Sequence, residues 1–191
     1  MTGFPPEPWR LHGHAYVGVF VPDGRRLLTA AFFVYEPPSV LTYHEIMATS
    51  LVRDGWLPRV AITDIWVDDV ASRSGGRALW GIPKNLAVFA VEPHRTYAAA
   101  ADDGQPVAGV QVDRVLMLPG RLPLTFGVSQ DRTLSTKPGP GRLRSPVRGT
   151  ARVGVARARW EIDADGPLGF LAGRRPLVTL ALRDFAITFG S

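Results

Sequence analysis

The feature that most restricts this chain is a succession of ten runs of aromatic and β-branched residues, at 12–21, 27–35, 40–52, 57–67, 86–91, 96–101, 107–116, 122–129, 150–163 and 177–189. Between the first four stand Pro-Asp-Gly-Arg, Glu-Pro-Pro-Ser and Arg-Asp-Gly-Trp, residues that turn a chain back on itself. Runs of this length at this spacing predict a mainly β fold, an antiparallel closed or partly closed β-barrel rather than a parallel sheet. Helical signals are few. Asp69 can cap a helix that Gly81 and Pro83 end, although Gly75-Gly76 weakens it, and a second short helix is expected at 167–172. The Pro- and Gly-rich segment 136–149 reads as a long loop.

At 191 residues and 46% hydrophobic, the chain has the size of a single domain spanning 1–191. It has no apolar run long enough for a membrane helix, and the N-terminus has neither a basic nor an apolar leader region. A cytoplasmic protein with no membrane partner is therefore expected. The absence of cysteine excludes disulfides and thiolate chemistry. Of the 22 basic residues only Lys84 and Lys137 are lysine, the rest being arginine. That skew fits a GC-rich codon usage, so the net charge is no argument for a nucleic-acid partner. It also singles out the lysines, because an amine that must lose its proton cannot be replaced by arginine.

Phosphate-binding loops, the Gly-x-Ser-x-Gly elbow and the His-Glu-x-x-His motif are all missing. His12 and His14 can share a strand face, with His44, Glu45 or His94 as a third ligand, but pairs of this kind arise by chance, and no metal is expected. The basic stretch 137–159 lacks interleaved aromatic residues and reads as a solvated loop. The tryptophans at 9, 56, 66, 80 and 160 are core or pocket residues. Lys84 has apolar flanks in Leu79, Trp80, Ile82 and Leu86, and from these alone it is either a surface lysine with a buried stem or a lysine held inside.

The stretch Gly76-Arg77-Ala78-Leu79-Trp80-Gly81-Ile82-Pro83-Lys84 resembles the signature of acetoacetate decarboxylases, in which Gly-Arg-Glu-Leu leads through Pro to a Schiff-base lysine. Tyr43-His44-Glu45 resembles the Tyr-x-Glu of the same family, and Glu45 precedes Lys84 by the matching 39 residues. The similarity extends over roughly residues 5–92. The chain departs from the pattern at Asn85, where the family has a second lysine, at His14, where it has an arginine, at Ala78, and near Ala30, where it has a second active-site glutamate. The resemblance implies a barrel of acetoacetate decarboxylase type, catalytic Lys84 and Glu45, and His14, Tyr43, Arg77 and Trp80 around a small-molecule carbonyl substrate. It further implies no cofactor and a homo-oligomer.

A lysine of ordinary pKa, about 10.4, is about 0.04% neutral at pH 7. Burial alone takes lysines down to about 5–6, so an apolar pocket around Trp80 and Ile82 is expected to supply a neutral amine, with Arg77 adding repulsion. The imine formed would serve decarboxylation of a β-keto acid or aldol and dehydration chemistry. Histidine in place of arginine weakens a carboxylate clamp, which points to a less acidic or larger substrate. The alternative is a non-catalytic barrel that binds a hydrophobic small molecule.

Overall fold

The computed structural model describes residues 3–21 and 27–191; the turn expected at Pro-Asp-Gly-Arg lies outside them. Ten strands form: β1 (Trp9–Phe20), β2 (Leu28–Glu36), β3 (Tyr43–Asp54), β4 (Leu57–Val67), β5 (Lys84–Glu92), β6 (Thr96–Ala101), β7 (Pro106–Met117), β8 (Leu122–Gln130), β9 (Leu143–Glu161) and β10 (Val178–Phe189). One α-helix, α1 (Val70–Trp80), lies between β4 and β5, and the second helix expected near 167–172 is a single 3-10 turn at Gly169–Leu171. Among the described residues no helix is long and apolar enough to cross a membrane.

The expected loop 136–149 is a loop only as far as residue 142, because β9 begins at Leu143. Pro146 is accommodated at the end of the β9–β10 ladder. Its carbonyl accepts from Gly190 N at 3.0 Å, so its missing N–H falls on the same side, next to the last paired residues Val147 and Phe189. The loop is held by an arginine that precedes it: the Arg132 guanidinium donates to the carbonyls of Lys137, Pro138, Pro140 and Gly141.

The strands form one sheet, ordered β10-β1-β2-β3-β4-β5-β6-β7-β9-β8, and the β10–β9 pairing closes nine of them into a ring. Two pairings are parallel, β4 with β5 and β4 with β8, while the others are antiparallel. A parallel neighbour needs a crossover, and α1 supplies it between β4 and β5.

Between β4 and β9 the sheet therefore has three routes. One is the wall β3-β2-β1-β10, one is β5-β6-β7, and one is β8 alone. The second and third cover opposite faces of the wall and give two separate cores. Even-numbered Tyr16, Phe32, Ile46 and Ala48 pack with β5–β7 residues such as Ala87, Tyr97 and Val110. Odd-numbered Leu11, Ala15, Tyr35 and Tyr43 pack with Val128 of β8 and with Trp80 and Ile82. Burial of both faces explains runs such as Phe32-Phe33-Val34-Tyr35, which are apolar without alternation.

A one-residue bulge in β4 keeps the second core continuous. The β3–β4 register passes from Ala48 opposite Asp64 to Thr49 opposite Ile62, so Thr63 is extra and both Ile62 and Ile65 face the same side. Around Asp184 a similar irregularity in β10 puts Leu182 and Phe185 on one face.

Candidate active site

Helix α1 closes one end of the second core. Asp69 is its N-cap, accepting from Ser72 N at 2.5 Å, and Gly81 ends it at φ 67°. Only glycine fits there, because a Cβ would lie 2.1 Å from Asp131 O as well as in a left-handed backbone. The Gly75-Gly76 pair, expected to weaken the helix, instead lets it approach its neighbours. A Cβ on Gly75 would stand 2.6 Å from the Trp9 ring, and one on Gly76 would stand 2.8 Å from Lys84 Cδ. Chain reversal at Gly81 then starts β5 at Lys84, opposite Ile65, with its side chain directed into the second core.

Lys84 is buried, and its amine has three partners: Glu45 Oε2 at 2.8 Å, Ser72 Oγ at 2.9 Å and Tyr43 OH at 3.3 Å. Three donors on an ammonium are thereby matched by three acceptors. Tyr35 OH donates to the other carboxylate oxygen of Glu45 at 2.9 Å. Tyr35, Tyr43 and Glu45 converge because β2 and β3 pair Tyr35 with Tyr43 and Phe33 with Glu45, and residues two apart on a strand share a face. The Tyr43 ring also lies under the ammonium, with its centroid 4.8 Å from Nζ.

The group lies at the inner end of a cavity of about 300 Å³. Its described lining is mostly carbon, and Lys84 is the single cationic residue in it. Burial is the largest influence on the Lys84 amine and favours the neutral form, but the Glu45 carboxylate and the Tyr43 hydroxyl outweigh it and hold the pKa above the ordinary lysine value. The expectation of a neutral resting amine is corrected by this pairing: desolvation acts as anticipated, and a carboxylate 2.8 Å away reverses the sign. Burial also pushes the Tyr43 hydroxyl up to about 12, and it raises Tyr35 well above the ordinary tyrosine value with help from Glu45. Both phenols are therefore protonated donors at neutral pH.

Trp80 lines the cavity with its ring edge-on to Trp9, 4.8 Å between centroids, while its indole N–H donates to Glu7. Arg77 does not face the cavity. Its guanidinium donates to Lys84 O at 2.7 Å and Asn85 Oδ1 at 2.9 Å, fastening α1 to the first residues of β5. It positions the lysine backbone, and Asn85 serves as its anchor. Lys137, the other lysine, is half exposed and paired with Glu7.

His14, expected beside the substrate, is placed on the opposite face of β1 from the cavity. An even position on β1 faces the first core, where His14 meets Tyr97 OH at 2.9 Å and the His94 ring at 4.6 Å. Trp66 belongs to that core, Trp160 packs against it, and Trp56 is fully exposed, so Trp9 and Trp80 are the tryptophans at the cavity. Among the described residues no group of three or more His, Asp or Glu side chains is arranged to hold a metal ion.

Two partners escaped the sequence. Tyr35 follows once the turn after Glu36 sets Tyr35 opposite Tyr43. Ser72 lies three residues past the Asp69 cap and faces the lysine only because the glycine pair draws the helix in.

No family model and no curated protein matches this sequence. Solved structures do match. Acetoacetate decarboxylase from Legionella pneumophila is 16% identical with a TM-score of 0.68, over 100% of this chain and 88% of that one. An acetoacetate decarboxylase-like enzyme from Sphingomonas wittichii RW1 is 17% identical with a TM-score of 0.62, over 96% and 90%. The enduracididine biosynthesis enzyme MppR complexed with pyruvate is 16% identical with a TM-score of 0.62, over 98% and 90%. At these identities the likeness is one of architecture, and from end to end this chain has the acetoacetate decarboxylase-like fold.

Proposed function

We propose that the protein is an enzyme in which Lys84 forms an imine with a carbonyl substrate and Glu45 carries the protons. The observation that supports this best is the buried Lys84–Glu45 pair at the closed end of a cavity large enough for a small molecule. Burying two charges costs several kcal/mol per ion after relaxation, and a binder of apolar ligands gains nothing from them. Similar structures support the substrate class in outline: one is an acetoacetate decarboxylase and another holds pyruvate.

The resting pair is ammonium and carboxylate. Transfer of one proton from Lys84 Nζ to Glu45 Oε2 leaves a neutral amine and a carboxylic acid, a tautomer with no net charge separation to desolvate. The amine attacks the carbonyl carbon, and the protonated Tyr43 hydroxyl donates to the developing oxygen. Glu45 then protonates that oxygen and water leaves. Tyr35 holds the second carboxylate oxygen, so the proton-carrying oxygen stays turned toward the amine. The iminium acidifies the adjacent carbon, and the carboxylate removes a proton from it to give an enamine. This route is favoured over loss of carbon dioxide because a substrate carboxylate would find no second cation in the described lining.

The alternative of a barrel that binds a hydrophobic molecule is favoured by one observation: the carboxylate keeps Lys84 protonated at rest. Hydrogen exchange at the α-carbon of a ketone in D2O, followed by proton NMR, separates the two readings. Exchange well above the buffer rate, reduced about 10²–10⁴-fold by Glu45→Gln, is the expected result. Exchange at the buffer rate contradicts catalysis.

A further inference from the structure

We propose that the substrate is a neutral aldehyde or ketone whose carbonyl stands at one end of an unbranched apolar chain on the order of ten carbons long, a reach set by C–C bonds of about 1.5 Å. This rests on the imine reading of Lys84.

The cavity has two unlike ends. Its floor is a ladder of four cross-strand pairs from β2 and β3: Tyr35 with Tyr43, Phe33 with Glu45, Ala31 with Met47, and Thr29 with Thr49. All eight side chains line it. From Glu45 to Thr49 the floor runs four residues, about 13 Å at about 3.3 Å per residue. At the Lys84 end Tyr35, Tyr43 and Glu45 are buried, whereas at the other end Thr29 and Val60 are half-buried and Phe126 is 43% exposed. The mouth is therefore at the Thr29 end, and a substrate enters with its carbonyl leading.

Between the ends the lining offers carbon. Ala31 leaves room in the middle of the floor, and Met47 beside it is a flexible filler that adapts to a chain. The polar pair near the mouth is occupied with itself, Thr29 Oγ1 and Thr49 Oγ1 lying 2.7 Å apart. A long thin apolar body matches this passage.

Charge at the inner end excludes an acid. In imine formation the N–C bond forms, the carbonyl oxygen leaves as water with two protons that began on the ammonium, and the product is an iminium facing the Glu45 carboxylate. The two charges cancel. A β-keto acid would bring a further carboxylate within two bonds of the iminium carbon, with no cation among the described lining residues to meet it.

The test is borohydride trapping on Lys84, read by peptide mass, with 2-butanone, 2-nonanone and 3-oxodecanoate, the last being 2-nonanone with a carboxylate added. Each buried methylene is worth a factor of about four. The half-saturation concentration for 2-nonanone is expected to be at least tenfold below that for 2-butanone, and 3-oxodecanoate is expected to be neither trapped nor turned over. Ala31→Phe, which blocks the middle of the passage, is expected to collapse the long-to-short ratio; the series on the unaltered protein stands without it. Equal trapping of the two ketones, or trapping or decarboxylation of the keto acid at the rate of the ketone, overturns this inference and leaves imine chemistry intact. No adduct with any of the three overturns both.

Discussion

Glu45 Oε2 lies 2.8 Å from Lys84 Nζ across two strands that are not neighbours in the sheet, with both side chains 4% exposed. The pair makes the lysine protonated at rest and, by the same contact, gives its proton somewhere to go.

Glu45→Gln removes the stronger of the influences that raise the Lys84 pKa and leaves burial, which lowers it and is the largest of all, opposed by Tyr43 alone. The chain has only two lysines, so ¹³C-labelled lysine followed by NMR resolves Lys84, with Lys137→Arg assigning the signals. In the unaltered protein the amine is expected to titrate above its ordinary 10.5, and in Glu45→Gln below it. A folded pKa above the unfolded one stabilises below pH 10.5 and loses that contribution as pH rises through the folded value. Alkaline unfolding that starts above pH 10.5 should therefore weaken in the variant as a pH-dependent effect. Identical titration in both proteins contradicts the pairing.

Lys84→Met leaves Glu45 buried without its cation. A loss of about 3–5 kcal/mol is expected in urea unfolding at neutral pH, and Lys84→Met combined with Glu45→Leu should recover most of it. A double variant no more stable than the single one would mean that the pair is not an isolated buried contact.

Gly76→Ala tests why the helix carries glycine where alanine normally stabilises by about 0.5–1 kcal/mol. With Lys84 Cδ and Cε 2.8 and 2.9 Å from the new Cβ, the sign should reverse, to a loss of about 1–3 kcal/mol. Reductive labelling of Lys84 should fall with it, since the methyl displaces the lysine stem. A gain in melting temperature with labelling unchanged would show the helix is not held against Lys84.

His14 gives an acid-side prediction. Burial lowers its pKa below 6.5, against the opposing influence of Glu36, with Arg183 and His44 adding to the depression. His94 and Tyr97 also pack on it, from β6 and the turn before it. The unfolded chain then binds more protons, so the stability is complete above pH 6.5 and declines as pH falls toward the folded value. Melting temperature is expected to drop between pH 7 and 5 in the unaltered protein, and less steeply in His14→Gln. Parallel slopes would contradict the assignment.

Much of this was legible in the sequence, and the misses have physical causes. Each of the ten strands coincides with an aromatic and β-branched run, except that the first seven residues of β9, from Leu143, fall in the Pro- and Gly-rich stretch expected to be a loop, and α1 follows from Asp69 and Gly81. Lys84, Glu45 and Tyr43 were readable through a motif and its spacing, and the structure brings them together. His14 was not placed correctly, because on a wall buried on both faces an even and an odd residue look equally internal. Arg77 stood close in sequence to Lys84, yet helix geometry turned its guanidinium onto the backbone. The sign of the lysine shift depended on a contact between β3 and β5, and local sequence reports burial but not the distance to a carboxylate.

The proposed chemistry requires Lys84 to make a covalent bond to a carbonyl carbon. Borohydride reduction in the presence of a medium-chain ketone, followed by peptide mapping against Lys84→Arg, reads this directly. A mass increase equal to the reduced ketone on the Lys84 peptide, with Lys137 unlabelled and no adduct in the variant, is the expected result. Labelling of Lys137 alone, or of neither lysine across pH 5 to about 9, would contradict it.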